Sequence, residues 1–173
     1  MTAYAALLRA VNVGGTGKLP MTELTAMCEK AGFAKVKTYI ASGNVVFTSG
    51  KDEATVKATL EKAMQDYAGK PVGVMVRTAA EMAAVAKANP FPDSPGNRVV
   101  TIFLDDTPPQ HTADEARNVD GEEIALGARE IYVRYTDHGM ADSKLIVPAA
   151  KAGTGRNMNT VVKLAAMAAA LGG

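Results

Sequence analysis

Residues 36–48 read VKTYIASGNVVFT, two β-rich runs (Val36–Ile40 and Asn44–Thr48) flanking Ala41-Ser42-Gly43. β-branched and aromatic residues on both sides of a short glycine-containing break are the pattern of a β-hairpin. Upstream, Tyr4–Arg9 is a short apolar run that predicts a strand, followed by a glycine-rich loop. Pro20 then opens an amphipathic helix carrying Leu24, Cys28 and Ala31, with Gly32 placed as a helix-ending glycine. Downstream, Ser49 or Asp52 can cap a second helix, in which Val56, Leu60, Met64 and Tyr67 recur on one face. Gly69 and Pro71 end that helix, and Val72–Arg77 predicts a strand. Around the hairpin the order is therefore βαββαβ, the split βαβ arrangement of ferredoxin-like folds.

The second half repeats this order only in part. Thr78 and Glu81 have capping-box spacing ahead of Met82, Val85 and Ala86, and Asn89-Pro90-Phe91-Pro92 breaks the chain. Arg98–Leu104 predicts a strand, and Thr107-Pro108 a short polar helix. Glu122–Leu126 and Glu130–Tyr135 form a hairpin across Gly127-Ala128. A short helix near Ala141–Leu145, the linker VPAAKAGTG and a last helix from about Asn157 to Leu171 complete the chain. The expected fold is α+β: two ferredoxin-like subdomains, residues 1–78 and 79–173, the second incomplete, with the C-terminal helix packed across. No internal sequence repeat accompanies this similarity of order.

Composition narrows the function classes. With 173 residues, 47% of them hydrophobic and 21% charged, the chain can bury a core and is not a disordered or fibrous sequence. The single cysteine, Cys28, rules out an intrachain disulfide and cannot alone build a zinc site, which points to a reducing compartment. The N-terminus has no basic region before its short apolar stretch, and no apolar run reaches the roughly 18 residues that a membrane span needs. A cytoplasmic protein without membrane association is expected. The net charge of +1 conceals an uneven distribution, because residues 101–140 carry nine acids and three bases whereas both ends of the chain are basic.

The loop NVGGTGK, residues 12–18, sits between a predicted strand and a predicted helix, where backbone N–H groups can face an anion. A Walker A loop would need glycine where Asn12 stands and Ser or Thr where Leu19 follows Lys18. A dinucleotide-binding loop would need a Gly-x-Gly-x-x-Gly spacing that neither Gly14 nor Gly15 starts. Both standard phosphate loops are excluded. Two readings stay open: the glycines simply turn the chain, or they contact a ligand.

The long motif LLRAVNVGGTGKLPMTELTAMCEKAGFAKVKTYIASGNVVF, then Ser143-Lys144-Leu145, then RNMNTVVKL resemble the bacterial domain-of-unknown-function family number 1697 over essentially the whole chain. The resemblance implies an α+β architecture with ferredoxin-like parts and brings no assigned activity. One position departs from it, since the last motif of the family usually has tryptophan where this chain has Met158. That aromatic either contacts a ligand in relatives or packs, in which case methionine is a tolerable filler.

These motifs concentrate Arg9, Asn12, Gly14, Gly15, Lys18, Tyr39, Ser42, Asn44, Arg156, Asn157, Thr160 and Lys163. A helix there would carry Arg156, Thr160 and Lys163 on one face, and Arg156 would stand at its N-terminus. Neighbouring first and third strands would bring Arg9 and Asn44 close to the glycine loop. The expected product is a basic concavity for a phosphate- or carboxylate-bearing ligand. The competing reading gives the arginines structural ion pairs and the asparagines a turn and a helix to cap. Cys28 on an apolar helix face reads as an inert thiol, and His111 and His138 lack metal-ligand spacing. Adjacent Ser143 and Lys144 point apart on a helix and would not pair there.

Four functions stay open: binding of a small anion, RNA binding, since βαββαβ is also the RRM order, a small enzyme, or a protein-interaction role without catalysis. RNA binding has little aromatic support, because the central strands offer only Tyr4 and Phe47. No cofactor or metal is expected, no nucleophile and base stand in evident register, and neither catalysis nor oligomeric state is decided by these residues.

Overall fold

The computed structural model describes residues 1–11, 18–40, 43–137 and 139–172. Its first sheet is formed by β1 (Thr2–Leu8), β2 (Ala34–Thr38), β3 (Asn44–Ser49) and β4 (Val74–Thr78), with α1 (Met21–Lys30) and α2 (Glu53–Ala68) as crossovers. The strands lie in the order β2-β3-β1-β4, and every neighbouring pair is antiparallel. β1 and β2 therefore run parallel with β3 between them, which is the split βαβ arrangement expected from the sequence. Leu7 faces Asn44 across the β1–β3 pair, so the ends of the first and third strands do meet.

Local chemistry accounts for the element ends. Asp52 accepts a hydrogen bond from the Thr55 amide at 2.8 Å, so Asp52 caps α2, and Gly69 closes that helix in the left-handed conformation at φ 74°. Thr78 and Glu81 form the reciprocal capping box: the Thr78 amide donates to the Glu81 carboxylate at 2.9 Å and the Glu81 amide to Thr78 Oγ1 at 3.1 Å. Gly43, at φ 90°, is held to glycine by space as well, because a Cβ there would come within 2.5 Å of the Val11 side chain. The outer edge of β4 is dressed by side chains. Lys57 donates to the Val74 carbonyl, the Val74 amide donates to Glu61 at 3.2 Å, and Arg77 donates to the Val76 carbonyl at 3.0 Å.

One face of this sheet packs Tyr4, Ala6, Leu8, Val45 and Phe47 against Leu24 and Cys28 of α1 and Val56, Leu60 and Met64 of α2. Phe33 stacks on Phe47 with ring centroids 4.4 Å apart and planes 6° from parallel. The helix periodicity of the sequence thus becomes the core-facing stripe.

After α3 (Ala79–Lys87) come β5 (Val99–Phe103), β6 (Glu123–Leu126), β7 (Glu130–Arg134), β8 (Thr154–Asn157) and α4 (Met158–Ala170). The second sheet has the order β6-β7-β5-β8, again antiparallel throughout. Numbered within each sheet, the two orders are the same. The fold is α+β: the described residues form two four-stranded antiparallel sheets and four α-helices, the last of them C-terminal. In the second sheet Ile131, Val133 and Leu104 pack with Ile102, Ile124, Tyr135, Leu145 and Val147.

Contacts divide the chain into residues 1–83 with 163–173 and residues 84–162, so the C-terminal end groups with the first unit. Lys35 donates to the Leu171 carbonyl at 3.4 Å within that unit.

Three expectations about the second half are corrected. The stretch after Thr107 forms turns, not a helix: Pro108 and Pro109 lack the amides a helix would use, and Thr112 bonds back to the Pro109 carbonyl. Residues 141–145 are turn and irregular chain, because the Ser143 hydroxyl accepts from the Leu145 amide at 3.2 Å and donates to Glu122. The linker ends as strand β8, which contains Arg156 and Asn157, so α4 begins only at Met158.

Candidate functional site

Because β3 runs antiparallel to β1, the helices that follow them run oppositely, and the start of α1 lies beside the end of α2. A hollow of about 430 Å³ opens at this place in the first unit. Its floor is apolar, with Val11, Leu19, Met64 and Val72, all buried. Its rim carries Lys18, Tyr67 and Lys70. Both lysines are exposed, and among the described residues neither has a hydrogen-bond or ion-pair partner. Tyr67 is 45% exposed, the most open aromatic side chain among the described residues.

The chain enters this place under backbone constraint. Ala10, which also lines the hollow, sits at φ 58°, a left-handed conformation that costs a non-glycine residue about 1–2 kcal/mol. It turns the chain out of β1 toward the glycine loop. Arg9 lies just before it: its amide donates to the Gly73 carbonyl at 2.9 Å, and its side chain passes over Gly73, next to the floor residue Val72. Asn12, Gly14, Gly15 and Ser42 lie outside the described residues, as does His138.

The remaining sequence-predicted residues have local tasks. Asn44 is fully buried and its amide nitrogen donates to the Tyr39 carbonyl at 3.0 Å, while the Tyr39 amide donates to the Asn44 carbonyl, closing the β2–β3 hairpin. In the second unit, Asn157 Oδ1 accepts from the Thr160 amide at 3.0 Å and caps α4. Arg156 is not at a helix N-terminus. It is buried on β8, donating to Thr154 Oγ1 at 2.7 Å and to the Gly155 carbonyl at 2.9 Å, and burial pushes its guanidinium pKa down to about 10. The single helical face expected for Arg156, Thr160 and Lys163 therefore does not exist. Thr160 is buried on α4 and Lys163 is exposed three residues later. Met158 is 4% exposed, a packed position.

The residues that the sequence did not single out for the site are Tyr67 and Lys70. Tyr67 was legible only as part of the buried face of α2, and Lys70 as part of that helix's terminating segment. The antiparallel course of α1 and α2, implied by the strand order, was the signal that placed them beside Lys18.

The second unit has its own hollow, of about 410 Å³, of the opposite character. Asp120, Glu122 and Asp142 line it with Asn118, Ser143 and Lys144. The Ser143 hydroxyl donating to Glu122 holds that carboxyl below its ordinary value. Three carboxylates repel an anion, so the two hollows separate by charge. Reactive groups are scarce. Burial pushes the Cys28 thiol up to about 12, and His111 is exposed and paired with Glu115 at 2.7 Å. Among the described residues no group of His, Cys, Asp or Glu is arranged to hold a metal ion, and no helix is long and apolar enough to cross a membrane.

The family model described as a protein of unknown function, DUF1697, matches residues 1–132, more than half of the chain. The chain belongs to the DUF1697 family. The part matched contains Val11, Lys18, Leu19, Met64, Tyr67, Lys70 and Val72, which line the first hollow. Among solved structures, this DUF1697 member is similar to the conserved bacterial protein SP0830 from Streptococcus pneumoniae, with 23% identity and a TM-score of 0.78 over 96% of this chain and 98% of that one. That likeness shows a shared fold. No curated protein matches the chain.

Proposed function

We propose that the chain binds a small phosphate- or carboxylate-bearing ligand in the hollow of its first unit, which Val11 and Lys18 line from either side of the glycine-rich stretch in sequence. The observation that carries this reading is the pair of ammonium groups, Lys18 and Lys70, on the rim of one hollow with no counter-charge bonded to them among the described residues. Two cations near each other repel, and an anion between them relieves that repulsion while making charge-assisted hydrogen bonds. The basic balance of the first unit acts in the same sense. It carries eleven Lys and Arg against seven Asp and Glu, where the second unit has eight against eleven. Binding in the cytoplasm without a membrane remains part of this proposal.

RNA recognition through the sheet draws less support. An RRM stacks bases on aromatics exposed on its central strands, whereas Tyr4 and Phe47 are 3% and 0% exposed and take part in the core. The test is thermal-shift screening of nucleotides, sugar phosphates and carboxylates at low salt. At least one anion should raise the melting temperature, and the Lys18→Gln/Lys70→Gln double variant should lose that shift while keeping its own unliganded melting temperature. A flat response across the panel would overturn the reading.

A further inference from the structure

We infer that the anion bound in the first unit carries an apolar, ring-sized body, and that Tyr67 selects for it. This deepens the proposed function and rests on it. The hollow divides by chemistry: the cations Lys18 and Lys70 stand at its rim, whereas Val11, Leu19, Met64 and Val72 make its floor. A free phosphate or sulfate needs only the rim and gains nothing from four apolar side chains beneath it. A ligand with an apolar body covers that floor and takes the hydrophobic contribution as well. The volume, about 430 Å³, falls within the range of small-molecule sites and is far larger than one inorganic anion requires.

Tyr67 gives the body its shape. It follows Met64 on the same face of α2, in the last turn before Gly69, so its ring extends the floor outward to the rim. Its exposure of 45% leaves ring surface for a flat partner, and no aromatic contact among the described residues occupies it. An aromatic ring packed on it would place an attached phosphate or carboxylate at the level of the two ammonium groups. The chemical class is thus an aryl or similarly flat apolar anion, and the phosphate and carboxylate versions share that chemistry.

Calorimetric titration of the full chain at low salt with phenyl phosphate, benzoate, inorganic phosphate and acetate tests this. Phenyl phosphate should bind at least tenfold more tightly than inorganic phosphate, or benzoate at least tenfold more tightly than acetate, on the order of what covering one ring surface provides. The better of the two pairs identifies the anionic group. Tyr67→Ala should remove the preference for the ring, Tyr67→Phe should keep it, and Lys18→Gln/Lys70→Gln should weaken every anion. If inorganic phosphate or acetate binds as tightly as its aryl partner and still depends on the lysines, the selection for a ring is wrong and anion binding stands. If no probe binds, or binding ignores the lysines, both readings fall. A Tyr67→Ala variant that melts like the parent yet retains the ring preference overturns the role of Tyr67 alone.

Discussion

In the first unit both crossovers between strands contain an α-helix, whereas in the second the corresponding described residues, 104–122, 135–137 and 139–153, run through turns, an isolated bridge and a short 3-10 turn at Pro148–Ala152. The two sheets still have one strand order. The comparison shows that helices are not what fixes this order; antiparallel pairing of short strands suffices if the crossovers can be held down. In the first unit they are held by a wide apolar face. In the second they are tied to each other by polar links: the backbone of Arg117 and Ile146 exchanges hydrogen bonds of 2.8 and 3.0 Å, and Ser143 reaches Glu122. One unit is stabilised mainly by burial, the other to a larger degree by hydrogen bonds between segments.

This contrast can be broken by substitution. The largest effect is expected for Phe47→Ala, which empties a fully buried, ring-stacked position in the first unit and should cost about 4 kcal/mol in urea unfolding. A loss of only about 1 kcal/mol would mean that the helices contribute little and that the contrast between units is mistaken. Next comes Arg156→Ala on β8. Removing the buried guanidinium leaves the Thr154 hydroxyl and the Gly155 carbonyl without their donor, a cost of about 2 kcal/mol. Because the structure gives Arg156 this anchoring task, the variant should lower the melting temperature without altering the affinity of the first unit for anions.

The smallest effect sharpens the comparison through pH. Glu122 has its carboxyl pKa lowered, first by the Ser143 hydroxyl and then by the Asp120 amide. A carboxyl with a depressed folded pKa contributes stability above its ordinary value, here 4.5, and loses it as the pH falls through the depressed value. Ser143→Ala should therefore destabilise the chain by about 1 kcal/mol at neutral pH. The melting curves of the variant and the parent should converge in strong acid. A difference that stays constant from neutral pH to pH about 3 would show that the Glu122 carboxylate is not the partner that matters.

The same contrast explains what could be read from residues alone. α2 announces itself by Val56, Leu60 and Met64 at helical spacing, and the β2–β3 hairpin by its β-branched runs, because both are organised by burial of apolar side chains. β8 gives no such signal. TGRN has no large apolar residue, and it becomes a half-buried strand by pairing with β5, with buried Arg156 donating to Thr154 Oγ1. Where buried polar side chains take the place of apolar ones, hydropathy patterning does not reveal the element, and the spacing of Arg156, Thr160 and Lys163 reads as one helix. The site was legible to the extent that it lies on one stretch of sequence: Arg9 and Lys18 flank the glycine loop. Tyr67 and Lys70 reach it only through the topology, from the far end of a helix whose pattern spoke of core.

The dressed edge of β4 has a consequence for how these molecules behave in a crowd. An open sheet edge is a template on which another chain can add a strand, and repeated addition leads to aggregates. Along β4 the outward amide and carbonyl of Val74, the carbonyl of Val76 and the amide of Thr78 are already bonded to Glu61, Lys57, Arg77 and Glu81. A second molecule would have to displace two carboxylates, an ammonium and a guanidinium to reach these four groups. These side chains thereby compete with strand addition on this side of the first sheet.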